Sequence, residues 1–136
     1  MIREIVHDPL FLAQPSVPAA KEDIHIAEDL KDTLQANLDR CVGMAANMIG
    51  ERKRIIALVN GPLIMVMLNP KILSCSGEYE AEEGCLSLAG VRKTKRFRLI
   101  RLSWQDTRMK EHTGSLEGFP AQIVQHEIDH CNGILI

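Results

Sequence analysis

The feature that most constrains this chain of 136 residues is the pentapeptide His126-Glu127-Ile128-Asp129-His130 near its end. In a helix, four residues advance about 400° and about 6 Å, so the two histidines stand on one face, a turn apart. Two imidazoles so placed can hold one metal ion, and Glu127, beside the pair, can take a proton from a water next to that ion. That is an arrangement for metal-assisted hydrolysis. The flanks suit a helix as well, since Pro120 fits a first turn and Gly133 fits a left-handed stop. Ile123, Val124, Ile128 and Cys131 spread apolar groups over more than one face, which marks a buried helix. A core helix that merely carries two histidines would show the same five residues, so the rest of the chain has to decide.

Size and composition limit the choices. A chain of 136 residues with 46% apolar content buries roughly two-thirds of its unfolded surface as one compact domain, residues 1–136. A net charge of −2, with one Trp, one Tyr and three Phe, gives neither the basic face nor the stacking platforms of a nucleic-acid binder. No stretch approaches a membrane span and the first residues lack a signal-peptide core, so a cytoplasmic location is expected. Cysteines stand at 41, 75, 85 and 131. Their wide spacing favours free thiols or a metal ligand over disulfides.

Along the chain, Met1 to Ala20, with prolines at 9, 15 and 18, reads as an irregular arm on the core. Ala27, Leu30, Leu34, Leu38 and Cys41 recur at helical spacing, predicting an amphipathic helix from Asp23 to about Arg40. Residues 41–50 are rich in small side chains, which suits either a tight packing junction or a close approach to the backbone. Arg54–Asn60 and Leu63–Leu68 flank Gly61-Pro62 as a hairpin, with Asn69-Pro70 closing the second strand. Arg96–Trp104 alternates with a slip in phase, which predicts a strand carrying a bulge. Arg92, Lys93, Lys95, Arg96, Arg98 and Arg101 form a basic stretch, either a solvated strand face or a contact for an anionic surface or a substrate backbone. Asp106–Gly118 reads as turns.

Cys85 lies 41 positions before His126, and spacing alone does not bring them together. Buried cysteines are commonly small apolar fillers. Beside a two-histidine helix, however, a thiolate is a sensible third ligand, because catalytic zinc-type sites use three protein ligands.

Three segments now take on meaning together. Gly43-Met44-Ala45-Ala46, Glu83-Gly84-Cys85-Leu86-Ser87 and Gln125-His126-Glu127-Ile128-Asp129-His130 resemble, in order, the three signature motifs of peptide deformylases. Ile5-Val6-His7-Asp8-Pro9 and Asn69-Pro70 extend the resemblance over nearly the whole chain. It implies an α+β fold in which antiparallel β-sheets surround a buried metal-binding helix. It implies that Cys85, His126 and His130 ligate a divalent metal, Fe2+ in this family, with Zn2+ or Ni2+ as substitutes. The implied reaction removes the formyl group from N-formylmethionine of new polypeptides, with nascent chains near the ribosome as partners.

The same resemblance distributes roles. Glu127 is the general base and then returns the proton to the departing amine; the backbone N–H of Leu86 meets the charge developing on the formyl oxygen. Glu83 and Asp129 support the ligands, with Arg96 as Asp129's partner. Gly43, Met44, Met48, Glu83, Gly84 and Arg92 are expected at the substrate.

The chain also departs from the family pattern. Cys41 replaces a glycine and should narrow the pocket mouth, Met44 replaces a leucine, and Ala89 stands where proline is usual. Many relatives continue into a C-terminal extension beyond the position of Ile136. Met48 replaces the glutamine that donates a hydrogen bond to the formyl oxygen, and a thioether cannot donate. Losing one such donor costs about 10²–10³ in turnover. Two readings follow: a deformylase, slowed unless Asn47 or a water replaces the donor, or a metal-binding homologue that recognises blocked N-termini without turnover. A protease reading would leave the cysteine motif unexplained.

Overall fold

A computed structural model describes residues 1–136. Helix α1 (Pro9–Leu12) lies in the N-terminal arm, α2 (Ile24–Ala36) follows it, and α3 (Phe119–Cys131) comes last. Between α2 and α3 run β1 (Gly43–Ala45), β2 (Ile55–Asn60), β3 (Leu63–Gly84), β4 (Val91–Gln105) and β5 (Glu111–Glu117). The five strands form one antiparallel sheet in the order of the chain.

Side chains in a strand alternate between faces, and β2 is apolar on both. Ile55 and Ala57 join Leu68 and the α2 residues Ile26, Ala27, Leu30 and Leu34 in one core cluster. Ile56 and Leu58 join Met67, Ile100, Leu102 and the α3 residues Ala121, Ile123, Val124 and Ile128 in a second. The sheet is thus covered by α2 on one face and α3 on the other. No helix is long and apolar enough to cross a membrane.

Several elements differ from expectation. The arm is not wholly irregular: the Asp8 side chain accepts a hydrogen bond from the Leu10 N–H at 3.0 Å and caps α1, with Pro9 at the first turn. Helix α2 ends at Ala36, short of Arg40, because Asn37 turns its amide back to the Thr33 carbonyl at 2.7 Å. Asn69-Pro70 does not close a strand. Asn69 takes a left-handed φ of 52° and its side chain clasps both the N–H and the carbonyl of Ala19, at 2.8 and 2.9 Å. The register slips between Leu68 and Lys71 and again between Ile72 and Ser74. Proline's missing donor is tolerated at such bulges, and β3 runs on to Gly84. The expected irregularity in β4 therefore originates in its partner. Residues 111–117, read as turns, form an edge strand whose His112 stacks on Trp104 with ring centres 5.5 Å apart.

Helix α3 ends as its sequence indicates. Gly133 has a φ of 75°, and a Cβ there would sit 2.5 Å from the Ala13 carbonyl oxygen. Its N–H bonds the His130 carbonyl, and the Ile134 N–H bonds that of Asp129.

Candidate metal centre

One turn of α3 sets His126 and His130 ring to ring, with Nε2 atoms 3.0 Å apart. The loop after β3 brings in Cys85, so that its Sγ and the two ring nitrogens all lie within 4.8 Å of one another. The Ser87 N–H points at that sulfur at 3.4 Å. The Ser87 carbonyl oxygen in turn meets His7 Nδ1 at 2.9 Å, which anchors the loop to the N-terminal arm.

A charged chain lies behind His126. Its Nδ1 is 2.8 Å from Glu83 Oε1. Arg96 grips both oxygens of Glu83 through Nε and Nη2, at 2.7–3.2 Å. Its Nη1 bonds Asp129 Oδ2 at 2.7 Å, so the expected Arg96–Asp129 pair is present and Glu83 shares the same guanidinium. Gln122 completes Glu83's shell, donating to Oε2 at 2.9 Å. Burial works against a charge on Glu83, but the bonds from His126, Arg96 and Gln122 outweigh it and hold its carboxyl down to about 2. Burial likewise opposes a charge on His126, yet Cys85 and Glu83 lift it to about 10. His130, buried and beside His126, is pushed down to about 3 and stays a neutral donor.

Glu127 has another environment. It is 4% exposed and its Oε1 has no hydrogen-bond partner. Burial drives its carboxyl up to about 7. A Cβ on Gly43 would come within 3.0 Å of its Oε2 and 2.5 Å of Ile123 Cγ2. The bare glycine lets β1 lie directly against the metal helix.

A cavity of about 670 Å³ opens onto these groups. Gly43, Met48, Glu83, Gly84, Cys85, Leu86, His126 and Glu127 all line it, and half-buried Cys41 stands among them. Two expected substrate residues do not. Met44 is fully buried in the α2-side core, because the alternation that faces Gly43 toward α3 turns its neighbour inward. Arg92 bonds the nearby Ala89 carbonyl at 3.3 Å instead. Asn47, considered as a replacement donor, directs its amide nitrogen to the His130 carbonyl at 3.0 Å, away from the cavity. The Met48 sulfur accepts the Ala45 N–H at 3.4 Å. Most of the basic stretch is solvated strand face, with Lys93 and Lys95 beside Glu80 and Glu78, while Arg96 alone is buried. Gln122 was missed, although it stands four residues before His126, on the same helical face.

One sulfur and two imidazole nitrogens, with one ring held from behind by a carboxylate, fit a divalent transition-metal ion. Together with the buried unpaired carboxylate and the open cavity, they define a metal-dependent hydrolase. The comparisons with known proteins sharpen this. Residues 2–136 match the family model described as polypeptide deformylase. A peptide deformylase of Clostridium beijerinckii is 52% identical over 136 residues, covering all of both chains. The crystal structure of peptide deformylase from Thermotoga maritima superposes with a TM-score of 0.89 at 30% identity, covering 99% of this chain and 95% of that one. A Met-Ala-Ser-bound deformylase from Acinetobacter baumannii gives 0.88 at 27% identity, covering 99% and 97%. The chain belongs to the peptide deformylase family.

Proposed function

We propose that this chain removes the formyl group from N-formylmethionyl ends of nascent polypeptides in the cytoplasm, close to the ribosome. The observation that carries the reading is the Glu127 carboxylate, buried, without a partner at Oε1, and lining the same cavity as Cys85 and His126. A carboxyl raised to about 7 is poised to exchange protons near neutrality. Cys85, His126 and His130 would hold Fe2+, or Zn2+ or Ni2+ in its place, which when bound supplies Lewis-acid activation of water and of a carbonyl oxygen.

Glu127 accepts the proton of the attacking water and returns it to the amine nitrogen of methionine as the C–N bond breaks, so formate and a free amine leave. The Leu86 N–H donates to the formyl oxygen as charge develops there. Gly84, which lines the cavity, gives the peptide backbone close approach, and Gly43 lines it with β1 held against the metal helix. Glu83, tied by Arg96 to Asp129, holds the His126 ring in place. The bound tripeptide of the Acinetobacter baumannii relative, Met-Ala-Ser, is what this cleavage would leave from formyl-Met-Ala-Ser.

A second reading has one observation in its favour. Met48 lines the cavity, and its thioether has no hydrogen to give. Without a donor there, turnover is slower by about 10²–10³, and in the limit the chain holds blocked N-termini without cleaving them. Anaerobically iron-loaded protein, assayed on formyl-Met-Ala-Ser, separates the two. The wild type is expected to exceed Glu127→Ala by at least about 10²-fold; equal rates end the deformylase reading.

A further inference from the structure

The two metal-facing rings are held unequally. His126 has Glu83 at its outer nitrogen, whereas Nδ1 of the fully buried His130 has no partner. With Nε2 turned toward Cys85 and His126, where it would bind the metal, Nδ1 is the ring nitrogen left to carry a hydrogen, a donor without an acceptor. Asn47 touches the same residue. It lies fully buried on the short turn Ala46–Ile49 and donates from Nδ2 to the His130 carbonyl at 3.0 Å. That bond fixes the amide's orientation, since turning it over would set oxygen against oxygen. Asn47 Oδ1 therefore remains an acceptor without a donor. A buried donor and a buried acceptor attached to one residue's surroundings are what an internal water satisfies.

We propose that Asn47 is a positioning residue for His130. Its amide nitrogen tethers the backbone carbonyl, and its amide oxygen, through one buried water, takes the Nδ1 hydrogen. The ring is then held with Nε2 aimed at Cys85 and His126. Outer partners of this kind change metal affinity by about 10–100-fold when removed. The inference rests on the reading that Cys85, His126 and His130 hold a metal.

The test uses full-length zinc-loaded protein and two readouts other than turnover. In Asn47→Leu, which keeps bulk but removes both polar atoms, the zinc dissociation constant from chelator competition should rise about 10–100-fold. In Asn47→Ala, with room for an extra water, it should rise less. By NMR, the His130 ring of the wild type should carry its hydrogen on Nδ1, exchanging slowly and in contact with a bound water. That signal should shift or vanish in Asn47→Leu, which a purely structural role would not cause. The wild-type spectrum keeps the proposal testable if Asn47→Leu does not fold. Unchanged zinc affinity in both variants, or a wild-type Nδ1 without a hydrogen, overturns the inference alone. A wild type that retains no zinc overturns the metal reading, and this inference with it.

Discussion

The two faces of the sheet are built from the same strands and used differently. Against α2 an apolar cluster forms the core, with Leu30 and Leu34 joined to Ile55, Ala57 and Leu68, and the buried polar groups Asp23, Thr33 and Asn37 belong to the helix and its ends. Against α3 the buried set includes Gln125, His126, Glu127 and His130, with Glu83 and Arg96 at the far end of the sheet. The α2 face gains its stability from apolar groups. The other spends part of that gain on groups that water would rather keep, and the helix holding them carries the chemistry.

The contrast can be broken most severely at Arg96. Arg96→Met leaves Glu83 and Asp129 without their shared cation, and should lower unfolding stability by roughly 3–5 kcal/mol in denaturant titration. Zinc retention should fall with it, because Glu83 no longer steadies His126. On the opposite face, Leu30→Ala should cost about 2–5 kcal/mol yet leave turnover per folded molecule unchanged. An equal loss of turnover there would erase the distinction between the faces.

A subtler break uses pH. With the Glu127 carboxyl raised from 4.5 to about 7, the folded metal-free chain keeps a proton that the unfolded chain has released across that window. Stability should therefore fall as pH rises through it. Glu127→Gln has no such loss and should be more stable than wild type above neutrality by on the order of 3 kcal/mol. Thermal melts across pH that run parallel for the two proteins would contradict this. The smallest expected effect sharpens the functional face alone: Met48→Gln should raise kcat at least about tenfold, and an unchanged kcat would mean that another group already supplies the donor.

The α3 face was the more legible in the sequence, because its groups are chemically unusual and locally spaced. His126 and His130 declare themselves by one helical turn, and Gly133 marks the end of that turn. Cys85 was legible only through its motif, since the 41 positions from it to His126 fold back through a hairpin that spacing does not encode. The strands were less legible. Asn69-Pro70 carries strong turn chemistry, yet the Ala19 backbone satisfies Asn69 and converts a stop into a bulge. Glu111–Glu117, polar and interrupted by Gly114, has little strand propensity and pairs because β4 lies beside it. Met44 is placed at the substrate by motif proximity, which ignores that neighbours on a strand face opposite ways, whereas Arg92 shares the face of Glu83 and turns its guanidinium to the Ala89 carbonyl.

The two bulges in β3 carry a consequence of their own. Past Gly77 the strand alternates, so Tyr79, Ala81 and Glu83 point inward while Glu78, Glu80 and Glu82 meet solvent. Which glutamate reaches the metal helix is thus a matter of odd or even. Adding one residue to this ribbon ahead of Glu82 would put Glu82 in the place of Glu83 at the helix, without altering the composition of the acidic run. The length of the hairpin is therefore part of the hydrolytic apparatus.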